Sequence, residues 1–354
     1  MKPDISVIMS VYNGETYLAE AIESVMKQTF QNWELIIIND CSTDATADIL
    51  FDFSNKDSRI KVYTNEVNLK LPSSLNKAIS LCSGKYIARM DADDICLPDR
   101  FEKQFQFMES NSDVALSSCR FMTIKNGVYA SGGAGGRCDN DALRAMLLVA
   151  NPILHPGVIA KAEVLKQFQY DTSLTCTEDL ELWTRLAMNN QKMQILPECL
   201  LIYRLHDKQI TSTTLERQHT EVLKIQNRYY AALLRDMDEE MQSFYINGIY
   251  FKEHADINGF LKYKKWLKQA AAKHFDKNAV NYALLEILAE YKRCGISKMD
   301  VLKAMSSFPC CFLVKDLIRR KNAAKKDIKK CIKIANDLGL KQTSGTRQFP
   351  IFEK

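Results

Sequence analysis

Short apolar runs and helical stripes alternate along the first third of the chain. Ile5–Ser10 reads as a β-branched strand, and over Glu15–Gln28 the residues Leu18, Ala21, Ile22, Val25 and Met26 recur at helical spacing. Glu34–Ile38 (ELIII) predicts a second, buried strand. Ser42, Thr43 and Asp44 then supply cap chemistry for a helix running to about Phe53. Ile60–Tyr63 predicts a third strand, and Ser73 and Ser74 open a helix through Ile79 and Leu81. Tyr86–Met90 predicts a fourth strand. Pro98 opens a helix with Phe101, Phe105 and Met108 on one face, and Val114–Cys119 predicts a fifth strand. Strands and helices alternating at these lengths predict an α/β fold with a largely parallel sheet and right-handed crossovers.

The pattern then changes. Residues 131–137 (SGGAGGR) lack the P-loop spacing and read as a flexible loop. After residue 150 come NPILHPG, TEDLELWTRL and YRLHDKQ. From about Leu215 the periodicity is helical, with amphipathic stretches around 221–234, 260–275, 280–292 and 312–338. The shift predicts an α/β domain over 1–215 and a mainly helical, basic region over 216–354.

Composition narrows the class. With 354 residues, 46% hydrophobic and 26% charged, the chain is an ordinary globular sequence. It has no signal-like N-terminus and no apolar run near the roughly 18–20 residues that span a bilayer. A cytosolic protein is expected, in solution or on the inner membrane surface. The eleven cysteines form no CxxC pair, which argues against a disulfide framework or a zinc knuckle. Charge is uneven: residues 251–354 carry 23 basic and 10 acidic side chains, a net of +13, while residues 1–250 carry 25 and 33, a net of −8. Residues 319–333 (RRKNAAKKDIKKCIK) concentrate eight of those bases beside one Asp. This stretch reads either as an attachment to anionic lipid or as a solvated helix packing its apolar stripe inward. Nucleic acid is disfavoured, because aromatic residues do not interleave with the bases and the other half is acidic.

Candidate chemistry gathers after the strands, where ligands of open α/β sheets bind. The fourth strand runs into Asp91–Ala92–Asp93–Asp94. Alternate residues of an extended segment point one way, so Asp91 and Asp93 can share a site. Hard carboxylate oxygens suit Mg²⁺ or Mn²⁺ beside a diphosphate. The alternative is a solvated acidic turn capping the Pro98 helix. After the second strand, Asp40 is the candidate ligand residue, while Ser42 and Asp44 suit capping. Glu178–Asp179 opens a helix behind Thr177, as dipole compensation or as a general base. Tyr203–Arg204–Leu205–His206 ends an apolar run, so His206 is either structural or a second metal ligand, with Arg204 beside it.

Taken together, SVIMSVYNGETYLAEAIESVMKQTF, ELIIINDCSTDAT, GKYIARMDADDICLPDR, NPILHPGVIAKAEVL, TEDLELWTRL and YRLHDKQIT resemble, in order, the family 2 glycosyltransferases of GT-A fold. The matching covers roughly residues 4–215. Its later part looks closest to bacterial β-1,3-N-acetylhexosaminyltransferases of lipooligosaccharide and O-antigen assembly. The resemblance implies an inverting, metal-dependent transfer from a UDP-sugar to a glycan acceptor, one that is lipid-linked. It implies that Tyr12, Asn13 and Glu15 line the nucleotide pocket and that Asp40 takes the uracil N–H. Asp91 would contact the ribose with Arg89 nearby, and Asp93 would hold Mn²⁺ or Mg²⁺ with His206. Arg204 would lie near the diphosphate. Asp179 would be the base, oriented by Glu178, and Trp183 would pack either at the acceptor or in the core. Two departures stand out: SVY where many members have PxY, and Lys70, in VNLKLPSSLN, where glycine is usual. A nucleotidyltransferase would want a glycine-rich basic loop after the first strand, which VYNGETY is not. A dinucleotide-dependent oxidoreductase would want GxGxxG there. A non-catalytic sugar-nucleotide binder would be expected to lack the acid pair or the DxD.

Overall fold

The computed structural model describes residues 2–126, 128–131, 139–174, 176–206, 215–233, 256–293 and 297–306, with Phe308 and Lys333. The basic stretch 319–333, the helix expected over 312–338 and most of the glycine-rich loop lie outside the described residues.

The N-terminal half alternates as its periodicity predicts: β1 (Ile5–Val11), α1 (Leu18–Met26), β2 (Trp33–Asn39), α2 (Thr46–Lys56), β3 (Ile60–Thr64), α3 (Leu71–Leu81) and β4 (Tyr86–Arg89). A two-residue β5 (Ile95–Cys96), α4 (Arg100–Ser110) and a long β6 (Val114–Lys125) follow, with β7 (Val128–Ser131) and α5 (Asn140–Met146). Next come β8 (Ile159–Lys161), α6 (Ala162–Phe168), α7 (Glu178–Met188) and β9 (Lys192–Arg204). Beyond residue 214 the described elements are helices: α8 (Leu215–Leu233), α9 (Ile257–Ala271), α10 (Lys277–Arg293) and α11 (Lys298–Met305).

The sheet runs β3-β2-β1-β4-β8-β6-β9-β5, with β7 on β6. Its first four strands are parallel, as expected. Beyond β4 it becomes mixed: β8 is antiparallel to both β4 and β6, β9 is parallel to β6, and β5 pairs antiparallel with β9. Connection length explains part of the change. Strand β7 follows β6 after two residues, which leaves no room for the crossover that a parallel partner needs.

Alternation along the strands divides two cores. Ile8, Ile36, Ile38 and Ile87 face one side, under α3, α5, α6 and α7. Val7, Met9, Leu35, Ile37 and Ala88 face the other, under α1, α2 and α4. Val222, Ile225, Phe260, Tyr263 and Leu284 of the C-terminal helices join the first of these cores. Trp183 lies wholly inside it at 0% exposure, so its place is the core and not a surface that meets the acceptor. Among the described residues, no helix is long and apolar enough to cross a membrane, and the six described cysteines are free thiols.

Candidate active site

The parallel strands deliver their polar ends to one edge. Strand β4 leaves the sheet at Arg89, whose N–H still donates to Val158 O (2.9 Å), and Met90 N donates to Ile8 O (3.1 Å). The next four residues turn. Asp91 and Asp93 are therefore neighbours because the chain folds back, not because an extended segment alternates. Oxygens of Asp91, Asp93 and Asp94 all lie within 4.8 Å of one another. The acids do not cap the following helix, which begins at Arg100 with Asp99 in the cap position.

Each acid has a different partner. Asp91 is gripped by both terminal nitrogens of the buried Arg89. Asp93 Oδ2 lies 2.8 Å from His206 Nε2. Asp94 is fully buried. Its Oδ1 accepts from Arg204 N (2.9 Å), fastening the end of β9 to the turn, and its Oδ2 has no hydrogen-bond partner. Burial, then the charges of Asp93 and Asp179, lift Asp91 to about 6 against the pull of Arg89. Burial, Asp93 and Asp91 hold Asp94 well above the usual carboxylate range. The acids are thus under-compensated, and a buried carboxylate oxygen stands unpartnered. Three hard oxygen donors with an imidazole at their edge fit a divalent cation. Asp91, Asp93 and His206 are partly exposed, while Asp94 is buried.

Arg204 is more tightly engaged than a free diphosphate contact would be. Its Nε donates to Asp93 O (2.9 Å), a terminal nitrogen meets Glu20, and the guanidinium lies 4.4 Å from the centre of the Tyr17 ring. The ring of His206 packs on the same tyrosine at 5.3 Å. Helix α1 thereby braces the end of β9.

The β1–α1 and β2–α2 loops lock each other. Asn13 N donates to Ser42 Oγ (3.0 Å) and Thr43 N to Asn13 Oδ1 (2.9 Å). Glu15 N donates to Asp44 Oδ2 (3.1 Å), and Ala45 N to Glu15 Oε2 (3.0 Å). Asp44 also accepts from Thr46 N, so it serves the helix start as expected, whereas Ser42 serves the facing loop instead. Gly14 is needed here, since a Cβ would meet Val11 Cγ2 at 2.4 Å. Tyr12 stands outward at 53% exposure. Asp40 is buried, with Oδ1 accepting from Asn65 Nδ2 (2.7 Å) and Leu69 N (2.8 Å), so it also anchors the segment leading to α3. That segment ends at Lys70 with φ 69° and ψ 164°, a region that belongs to glycine. The usual glycine at this position has a backbone reason, and Lys70 carries its strain.

The second acid pair opens α7. Thr177 sits at the cap position, but its hydroxyl donates to Glu221 Oε2 (2.8 Å) instead of capping. Asp179 Oδ1 accepts from Leu180 N (2.7 Å) and Oδ2 from Asn151 Nδ2 (2.7 Å). Asn151, rather than Glu178, is the side chain hydrogen-bonded to Asp179. Glu178 is buried, 3.7 Å from His155 Nδ1, and its Oε2 has no hydrogen-bond partner. Burial and the charge of Asp179 push Glu178 up to about 8. His155 is held neutral by burial and Arg89, and its Nε2 meets the Tyr170 hydroxyl at 2.7 Å. Asp91 and Glu178 each feel the charge of Asp179, so the two acid sets lie within electrostatic reach of each other.

Three residues went unassigned in the sequence. Arg100 is a fully buried cation whose Nη2 donates to Arg89 O (2.9 Å) and Val158 O (3.2 Å), pinning the point where β4 leaves the sheet. Its only signal was its place in LPDR, directly after the acidic turn. Asn151 and His155 were visible in NPILHPG, but nothing local tied them to Glu178 and Asp179.

Residues 6–158 match the family described as Glycosyl transferase family 2. An uncharacterized glycosyltransferase, MJ1057, of Methanocaldococcus jannaschii is 36% identical over 220 residues, covering 61% of this chain and 76% of the relative. The O-antigen biosynthesis glycosyltransferase WbnJ of Escherichia coli is 34% identical, covering 60% and 83%. In fold, the chain is similar to S. aureus TarS 1-349 in complex with UDP-GlcNAc, with TM-score 0.55, 17% identity and 92% of each chain covered. It is also similar to the mannosyltransferase PcManGT of Pyrobaculum calidifontis in complex with GDP-Man and Mn²⁺, with TM-score 0.51, 16% identity and coverage of 93% and 88%. The mixed sheet with its flanking helices is the GT-A fold, and on the strength of its close relatives the chain belongs to glycosyltransferase family 2.

Proposed function

We propose that this glycosyltransferase moves a hexose or N-acetylhexosamine from a UDP-sugar to a glycan acceptor, with inversion and in a metal-dependent way. An α-linked donor then gives a β-linked product. The observation that carries the reading is the under-compensated acid triad at the end of β4, within electrostatic reach of Asp179, which two donors hold at the start of α7.

Asp179 takes the proton from the acceptor hydroxyl as its oxygen bonds to the anomeric carbon. The bond from that carbon to the diphosphate breaks, and its electron pair leaves on the diphosphate oxygen. Asp93 and His206 would hold the ion, with Asp91 and Asp94 adding charge around it. Bound there, Mn²⁺ or Mg²⁺ would supply positive charge for the departing diphosphate. Tyr12, Asn13, Glu15 and Asp40 would face the nucleotide, and Arg89 with Asp91 the ribose. Arg204, engaged by Glu20 and Asp93, would border the diphosphate.

UDP is favoured by the TarS complex with UDP-GlcNAc, and synthesis of a bacterial surface polysaccharide by the name of WbnJ. A lipid-linked acceptor and a peripheral membrane contact through residues 319–333 belong to the same proposal. The test is UDP release from UDP-GlcNAc, UDP-GalNAc, UDP-Glc and UDP-Gal with Mn²⁺. One donor should turn over. Asp179→Asn should slow that turnover roughly 100- to 10,000-fold, the span of a lost general base. No release from any of the four would contradict the reading.

A further inference from the structure

The segment between α5 and β8 reaches both members of the second acid pair. Asn151, at its start, donates to Asp179 Oδ2 at 2.7 Å. His155, four residues on, lies 3.7 Å from Glu178. We propose that Asn151 is the positioning residue of the base: its amide fixes the plane of the Asp179 carboxylate and keeps it the proton acceptor of the pair. This inference rests on the reading of Asp179 as the base.

Three observations carry it. First, the amide has one orientation. Its Oδ1 accepts from Ile153 N (3.3 Å), so Nδ2 is the atom turned to Asp179; the reverse would set carbonyl oxygen against carboxylate. Second, the donor is pre-organised, because Pro152 restricts the preceding residue to extended backbone. Third, Asp179 then has one donor on each oxygen, Leu180 N and Asn151 Nδ2. Each oxygen keeps a lone pair, and the carboxylate cannot rotate without breaking both bonds. Glu178 has no such donor on Oε2. The contrast explains why adjacent acids would not compete for the same proton.

The groups whose charge reaches this carboxylate are Arg89 on β4, Asp91 after it, Tyr170 after α6, and Glu178 beside it. Burial raises Asp179 above the usual range, while Leu180 N–H, Asn151 and Arg89 pull it back. Removing the Asn151 amide should therefore raise it further.

The first part of the test needs no substrate. The chain is labelled with ¹³C at aspartate carboxyls, and the Asp179 resonance is assigned by its absence in Asp179→Asn. Its titration is then followed in wild type, Asn151→Ala and Asn151→Asp. Asn151→Ala should shift the Asp179 midpoint up, on the order of one pH unit. The isosteric Asn151→Asp should shift it further, since a carboxylate then faces a carboxylate. UDP release should fall roughly 10- to 100-fold in kcat, with the acid limb moving to higher pH and the donor KM little changed. An unchanged midpoint in both variants, or a fall confined to KM, would overturn the role of Asn151. If the midpoint moves but Asp179→Asn releases UDP at the wild-type rate, the contact stands and the reading of Asp179 as base fails.

Discussion

Glu34 and Glu178 are both buried glutamates of one domain, and their carboxyls move in opposite directions. Glu34 lies where the parallel strands begin. Its Oε1 accepts from Ser6 Oγ (2.6 Å), Ser83 N (2.9 Å) and Ser83 Oγ (2.7 Å), and its Oε2 pairs with Lys61 Nζ (2.7 Å). Burial alone would raise it, but Lys61, Ser6 and Ser83 outweigh burial and bring it down to about 2. Glu178 is buried at the start of α7, within reach of the charges of Asp179 and Asp91 at the far edge, where the strands end. It has one buried oxygen without a donor and is pushed up to about 8. The same physics acts on both, so the difference lies in what the fold supplies. At the edge where strands start, the protein answers Glu34 on both oxygens. At the edge where they end, Asp94 and Glu178 each keep a buried oxygen without a donor, which supports the proposal of an external cation and substrate there.

The largest effects should come from mutating this pair, with opposite signs. Glu34→Gln should cost about 2 kcal/mol of stability at neutral pH, because a charged acceptor and its ion pair are lost. The folded carboxyl is depressed, so its contribution is present above the ordinary value of 4.5 and disappears as pH falls toward about 2. Glu178→Gln should do the reverse. A raised folded value means that the wild type loses stability as pH climbs from 4.5 through about 8, so the variant should be the more stable at about pH 8 and nearly neutral at about pH 5. Thermal midpoints at both pH values check the pair. Equal midpoints for Glu178→Gln and wild type at about pH 8 would break the comparison.

A smaller effect concerns Lys70. Its backbone occupies a region suited to glycine, where strain costs roughly 1–3 kcal/mol, partly offset by glycine's larger unfolded-state entropy. Lys70→Gly should therefore stabilise by about 1 kcal/mol, read from a urea midpoint. A loss of stability would mean that the Lys70 side chain contributes more than its backbone strain.

Much of the architecture was legible because local pattern and tertiary role agree. The continuous apolar runs of β1 and β2, buried along both faces, and the stripe Leu18, Ala21, Ile22 and Val25 declare strand and helix without reference to partners. What was not legible depends on contacts between distant segments. Strands of two or three residues, β5 and β8, are too short for any periodicity, and with them went the mixed half of the sheet. Thr177 reads as a cap but finds Glu221, 44 residues on, and Ser42 finds the Asn13 backbone across the loops. At the site, the acidic turn announces itself because charge after an apolar strand is costly anywhere. Asn151 gives no such signal, since an exposed asparagine before proline is an ordinary turn residue until Asp179 is seen beside it. Arg204 likewise reveals its brace only when Glu20, 184 residues earlier, is in view.

The central claim is that the acidic turn answers a divalent cation carrying a nucleoside diphosphate. The most direct measurement is a calorimetric titration of UDP into the full chain with and without Mn²⁺, repeated on Asp93→Ala. Binding that requires Mn²⁺ and is lost in Asp93→Ala is the expected result. UDP binding of equal strength without the metal, or unchanged in Asp93→Ala, would contradict it.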